Sequence, residues 1–158
     1  EDGHFELKDK ADSELVTAIE SGEVKTAPDK KDSDSSKTPV TLYENFYRNE
    51  DEDYDADGKK DGTIRVYTKT GDINLACLIE GSFPQNENEI AVDRMHADNV
   101  GMKVGDTIKV SGKEFKVSGL IAYVNYSTLH EKKTDMMFDA KKFSVAVVTD
   151  SDFKQNCR

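Results

Sequence analysis

The sequence predicts an α+β domain: a mixed sheet with flanking helices and a small β-rich subdomain around residues 63–124. Three observations predict it. Apolar residues alternate with period two from Ile64 onward, in short runs punctuated by glycine-bearing turns. Helical spacing is confined to the N-terminal segment, one short capped stretch after Asp93 and a start signal at the C-terminus. The continuously apolar run Val145-Ala146-Val147-Val148 has the pattern of a strand buried on both faces.

Leu7, Ala11, Leu15, Ala18 and Ile19 recur at helical spacing and Gly22 is placed to stop the turn, which predicts an amphipathic helix over 8–21, within an N-terminal stalk of residues 1–24. Residues 25–39 are Lys, Asp, Ser and Pro with almost nothing to bury, the composition of a flexible linker. The core spans 40–150. Val40, Leu42 and Phe46 introduce a strand over 41–48, and 49–62 is the most charged passage of the protein. In 63–69, Ile64, Val66 and Thr68 share one face. Gly71-Asp72 turns the chain, and Ile73, Leu75, Cys77 and Ile79 alternate as the second arm of a hairpin.

Residues 84–88 form a loop and Glu89–Val92 is short and partly apolar. Asp93 caps a helix over 94–99, with Gly101 just past its end. Val104-Gly105-Asp106 is a turn, and Ile108 and Val110 pair across Ser111-Gly112 with Phe115 and Val117. Gly119 breaks the alternation, which marks a bulge or a close backbone approach. A last strand covers 144–149, and Ser151 and Asp152 begin a helix over 151–158.

Apolar residues make up 35% of the 158 and charged residues 34%, so the core is modest. A net charge of −10 argues against nucleic acid and against anionic lipid headgroups, both of which call for a basic surface. The two cysteines make no zinc spacing or disulfide framework. Cys77 reads as a small buried hydrophobe and Cys157 as incidental.

The acidic passage carries the one recognisable site pattern. Asp53, Asp55, Asp57 and Gly58 reproduce the first six positions of an EF-hand-like calcium loop, and Asp61 falls at the ninth. Closely spaced carboxylates repel unless a hard cation sits between them. The twelfth position is Ile64 rather than a bidentate carboxylate, and no helices flank the loop. A solvated acidic turn and a weak calcium site of extracellular character both fit.

His4, His96 and His130 lack a second ligand at metal spacing. His130 with Ser127, Glu131 and Asp135 is too local for a catalytic triad. No phosphate loop is present, and nothing supplies a paired acid and base, so the expectation is a non-enzyme. Tyr126, Met136, Met137 and Phe138, with Tyr123 nearby, are either core packing or a partner-binding patch.

Gly81–Pro84, Asn88-Glu89-Ile90, the turn from Gly101 to Ile108 and Val117-Ser118-Gly119 occur in an order and spacing that resembles the extracytoplasmic domain of FtsX-like (MacB-type) ABC transporter permeases. The resemblance covers residues 63–149 and is thin before them. It implies a domain between two membrane helices, on the extracellular face of a bacterial membrane, with helices 8–21 and 151–158 continuing into them. It further implies a mechanical transmitter whose partners are the rest of the permease, a cytoplasmic ATPase subunit and an extracytoplasmic protein, peptide or lipid. The acidic insertion from Asp51 to Asp61 departs from that pattern and leaves a second reading, a secreted calcium-dependent binding module.

Overall fold

The computed structural model describes residues 7, 10–22, 40–124 and 139–155. The expected linker 25–39, the partner patch Tyr126, Met136, Met137 and Phe138, and Cys157 lie outside the described residues. The chain divides into two units, one ending at Glu44 and the other beginning at Asn45. In the first, the helix α1 runs over Ser13–Glu20, shorter than predicted. Asp12 sets its start, because its carboxylate accepts the Leu15 N–H and satisfies one of the donors that a helix start leaves unpaired.

The second unit contains β1 (Tyr47–Asp53), β2 (Gly62–Thr68), β3 (Cys77–Gly81), β4 (Glu89–Asp93), α2 (Arg94–Val100), β5 (Thr107–Val110), β6 (Lys113–Ala122), β7 (Phe143–Val148) and α3 (Asp150–Gln155). The sheet is mixed, as predicted, with the order β3-β6-β4-β7-β2-β1-β5. An additional β5–β6 pairing joins its two sides, so six strands close into a barrel-like ring and β3 hangs from the outside of β6. The ten residues of β6 make this possible: Lys113–Lys116 pair with β5, and Lys116–Ile121 pair with β4.

Alternation decides what faces inward. Ile64 and Val66, Ile90 and Val92, Ile108 and Val110, Phe115 and Val117, and Ala146 and Val148 meet in one buried cluster with contributions from β2, β4, β5, β6 and β7. Each of the Ile, Val and Phe side chains contributes about 1.5–3 kcal/mol by leaving water. Ala97 of α2 and Met102 complete that cluster. The opposite face of β7 is also covered, with Phe143, Val145 and Val147 packed beside Tyr67, Ile121 and Tyr123. That is why its apolar run is unbroken.

Three expectations are corrected. The strand predicted at 41–48 begins at Tyr47 and continues through the acidic residues to Asp53. Asp, Asn and Glu are poor strand formers, but β2 and β5 supply ladders on both sides, and Arg65 Nε donates to Asn49 Oδ1 at 2.8 Å. Nor do residues 63–69 and 73–79 form a hairpin. β2 pairs with β1 and β7, while β3 pairs with β6, because ring closure takes both edges of β2. Cys77, expected inside, is exposed on that outer strand.

The joints of the ring follow the turn chemistry. Ser111 and Gly112 both have positive φ, the primed turn that matches strand twist, and connect β5 to β6. Gly81 and Gly119 meet where β3 crosses β6, and a Cβ on Gly119 would sit 2.4 Å from the Ser82 carbonyl oxygen. The pairing with β4 shifts register there too, the bulge that Gly119 predicts.

Candidate functional site

The β1–β2 connection holds the acidic loop. β1 ends at Asp53, which is buried beneath the loop, and the loop returns at Asp61, whose N–H donates to the Glu52 carbonyl at 2.8 Å. Between them, Gly58 takes φ +93°, a conformation that glycine adopts without strain, and donates its N–H to Asp53 Oδ2 at 2.9 Å. Asp61 Oδ2 accepts the Tyr54 N–H at 3.1 Å, and Asp55 Oδ1 accepts the Asp57 N–H at 3.1 Å.

These bonds bring Asp53, Asp55 and Asp61 together, with one carboxylate oxygen of each within 4.8 Å of the others. Asp57 does not join them. Its carboxylate accepts from Lys59 Nζ at 2.7 Å and from the Lys59 N–H at 2.8 Å, contacts that hold its pKa below the usual carboxylate value. Ile64, at the twelfth position of the pattern, is fully buried inside the ring, which explains why no carboxylate stands there.

Asp61 is pushed in the opposite direction. Burial raises its pKa first, the Tyr54 N–H opposes that, and repulsion from Asp55, Asp53 and Asp57 adds to it. Asp53 is only 8% exposed, and its Oδ1 accepts no hydrogen bond. The groove beside the loop is lined by Lys59, Lys60 and Lys109, but each is engaged: Lys59 with Asp57, Lys60 with Asp51 at 2.6 Å, and Lys109 Nζ with the Ala56 carbonyl at 3.1 Å.

A second polar cluster was invisible in the sequence. Glu52, the neighbour of Asp53, is fully buried and lies 3.1 Å from Nε2 of the equally buried His96 on α2. Ser144 Oγ on β7 lies 3.2 Å from both Glu52 carboxylate oxygens. His96 Nδ1 lies 2.6 Å from the Ala140 carbonyl, an atom that only accepts, so Nδ1 carries a hydrogen. Nε2 lies 3.1 Å from a Glu52 carboxyl oxygen, a contact that favours the protonated imidazole.

The surroundings of His96 therefore favour its charged form. Burial is the largest single influence and lowers its pKa, but the contact with Glu52 and its charge, with Ala140 and Asp93, raise it overall. The group is not a hydrolytic triad. The carboxylate, not the imidazole, touches the serine, and all three side chains are closed to solvent. It ties β1, β7 and α2 together. The one signal for it in the sequence was the acidic residue at an inward position of an unpredicted strand, 44 places from its histidine.

Asp152 makes a third buried node, accepting from the Asn88 N–H at 3.0 Å, Thr149 Oγ1 at 2.8 Å and Lys113 Nζ at 2.7 Å. It fastens α3 to the loop before β4 and to β6. No helix among the described residues is long and apolar enough to cross a membrane. No protein-family model, curated protein or solved structure matches the chain.

Proposed function

We propose that the chain is a non-catalytic extracytoplasmic domain of an FtsX-like permease, acting at the outer face of a bacterial membrane. In this reading its β-rich part, residues 63–124, passes ATPase-driven motion of the membrane segments to an extracytoplasmic partner. The observation that carries the reading is the work done by the residues of the resemblance. Gly81 and Gly119 allow β3 and β6 to cross, Asn88 takes φ 62°, Asp93 caps α2, and Gly101 and Gly105 turn the chain at positive φ. Each sets a turn, a helix cap or a strand crossing of this unit rather than a chemical group. A closed ring packed around one apolar cluster suits a rigid transmitter, because a close-packed interior passes strain rather than absorbing it.

The complete gene and its neighbours test this. Membrane-spanning segments on both sides of these residues and an ATPase gene alongside are expected. An epitope placed at Gly71, where a side chain meets nothing within 4 Å, should be reached by antibody on cells whose membrane is intact. A gene without flanking membrane segments, or an epitope reached only after lysis, would overturn the proposal.

A further inference from the structure

We infer that Asp53, Asp55 and Asp61 form a calcium site that clamps the β1–β2 turn of the ring. This inference does not depend on the permease reading. It rests on two observations of different kinds. One is the convergence of three carboxylates within 4.8 Å. The other is Asp53 itself. It is buried to more than nine-tenths, one oxygen is held by the Gly58 N–H, and the other accepts nothing. A carboxylate taken out of water without a counter-charge is among the costliest groups a fold can bury.

Among the described residues, no direct ion pair supplies that charge. Among the described residues, no lysine or arginine forms a salt bridge with Asp53, Asp55 or Asp61: Lys59 feels the charges of Asp55 and Asp61 but bonds Asp57, Lys60 bonds Asp51, and Lys109, opposite Asp53 across the β1–β5 pairing, gives its ammonium to the Ala56 carbonyl. A cation between the three carboxylates would neutralise the mutual repulsion of charges held within 4.8 Å of one another. The donor set is all oxygen, which excludes the softer ions that seek His or Cys. Three carboxylates strung along one loop suit calcium, which takes six to eight oxygens in irregular geometry. Magnesium demands a near-ideal octahedron. Loop carbonyls and water complete the shell.

The site differs from the one the sequence pattern suggests. Asp57, the fifth position of that pattern, is drawn away by Lys59, so the ligands come from the first, third and ninth positions alone. The ion would hold the end of β1 to the start of β2, directly beside the buried Glu52–His96 pair.

Calorimetric titration of the full chain, stripped with chelator and titrated with calcium chloride alone, tests the inference. One site is expected with Kd of about 0.1–1 mM, the range of extracellular modules with few charged ligands. Magnesium should bind at least about tenfold more weakly. Asp55 is exposed, so Asp55→Asn should fold and weaken calcium binding about tenfold or more; Asp57→Asn should weaken it less. Stability gives an independent readout. Without metal, Asp55→Asn should melt at or above the wild-type temperature, because repulsion is relieved. With calcium at about ten times Kd the order should reverse. No heat up to about 10 mM calcium, equal binding by Asp55→Asn, or equal affinity for magnesium would overturn the site.

Discussion

Glu52→Gln isolates the buried charge of the ring while keeping the side chain's length. His96 faces Glu52 on β1, the Ala140 carbonyl, the Asp93 carboxylate at its own helix start and the edge of the Tyr54 ring. Its folded-state pKa is raised above the ordinary 6.5. The stabilisation is therefore complete below about pH 6.5 and is lost as pH rises through the folded value. Inside that window the native state holds one proton more than the unfolded chain, so unfolding free energy falls by about 1.4 kcal/mol per pH unit. In Glu52→Gln the largest opponent of protonation, burial, loses its main counterweight, and this slope should flatten. The variant should also lose about 3 kcal/mol near pH 6, the low end for breaking a buried pair. Urea unfolding followed by circular dichroism between about pH 6 and 9 measures both quantities. A wild-type slope that survives intact in Glu52→Gln would refute the placement of the proton on this pair.

Other expectations follow from single contacts. Gly119→Ala drives a Cβ into two backbone oxygens, those of Ser82 and Glu80, and should cost about 1–3 kcal/mol in urea unfolding. Gly71→Ala, with open space and no positive φ, should be neutral or gain up to about 1 kcal/mol. Asp152→Ala leaves the Asn88 N–H and Thr149 hydroxyl without their buried acceptor and takes the charge partner from the partly exposed Lys113, and should lower stability by about 1–3 kcal/mol, with Asp152→Asn milder. Native Cys77 in a Cys157→Ser background should react with a thiol reagent nearly as fast as in denaturant, because it stands exposed on β3. Strong protection would contradict that placement.

What could be read from the sequence was local. Asp93 and Gly101 mark α2 because a carboxylate and a left-handed residue satisfy groups within one turn of the chain. Ser111-Gly112 and the flanking alternation specify the β5–β6 hairpin for the same reason. Gly119 announces its bulge. Pairings made at a distance left no such mark. β1 is a strand despite its acidic residues, because β2 and β5 hold it, and its inward Glu52 is neutralised by a histidine that looks incidental in the sequence. The false hairpin at Gly71-Asp72 arose from treating neighbours in sequence as neighbours in the sheet. At the candidate site, spacing identified the carboxylates, but only the fold separates Asp57, claimed by Lys59, from the other three.

The position of β7 also bears on how the protein is made. It lies between β2 and β4, parallel to one and antiparallel to the other, and is the last strand among the described residues. On a ribosome, every other member of the ring emerges before the strand that fills this slot. Until residues 143–148 are released, Val66 and Tyr67 on one side and Ile90 to Val92 on the other expose unpaired backbone and apolar surface. The ring cannot close from its N-terminal end as it is synthesised. Its folding waits on the final strand, and a chain stopped short of β7 would carry two open sheet edges where the finished protein has continuous pairing.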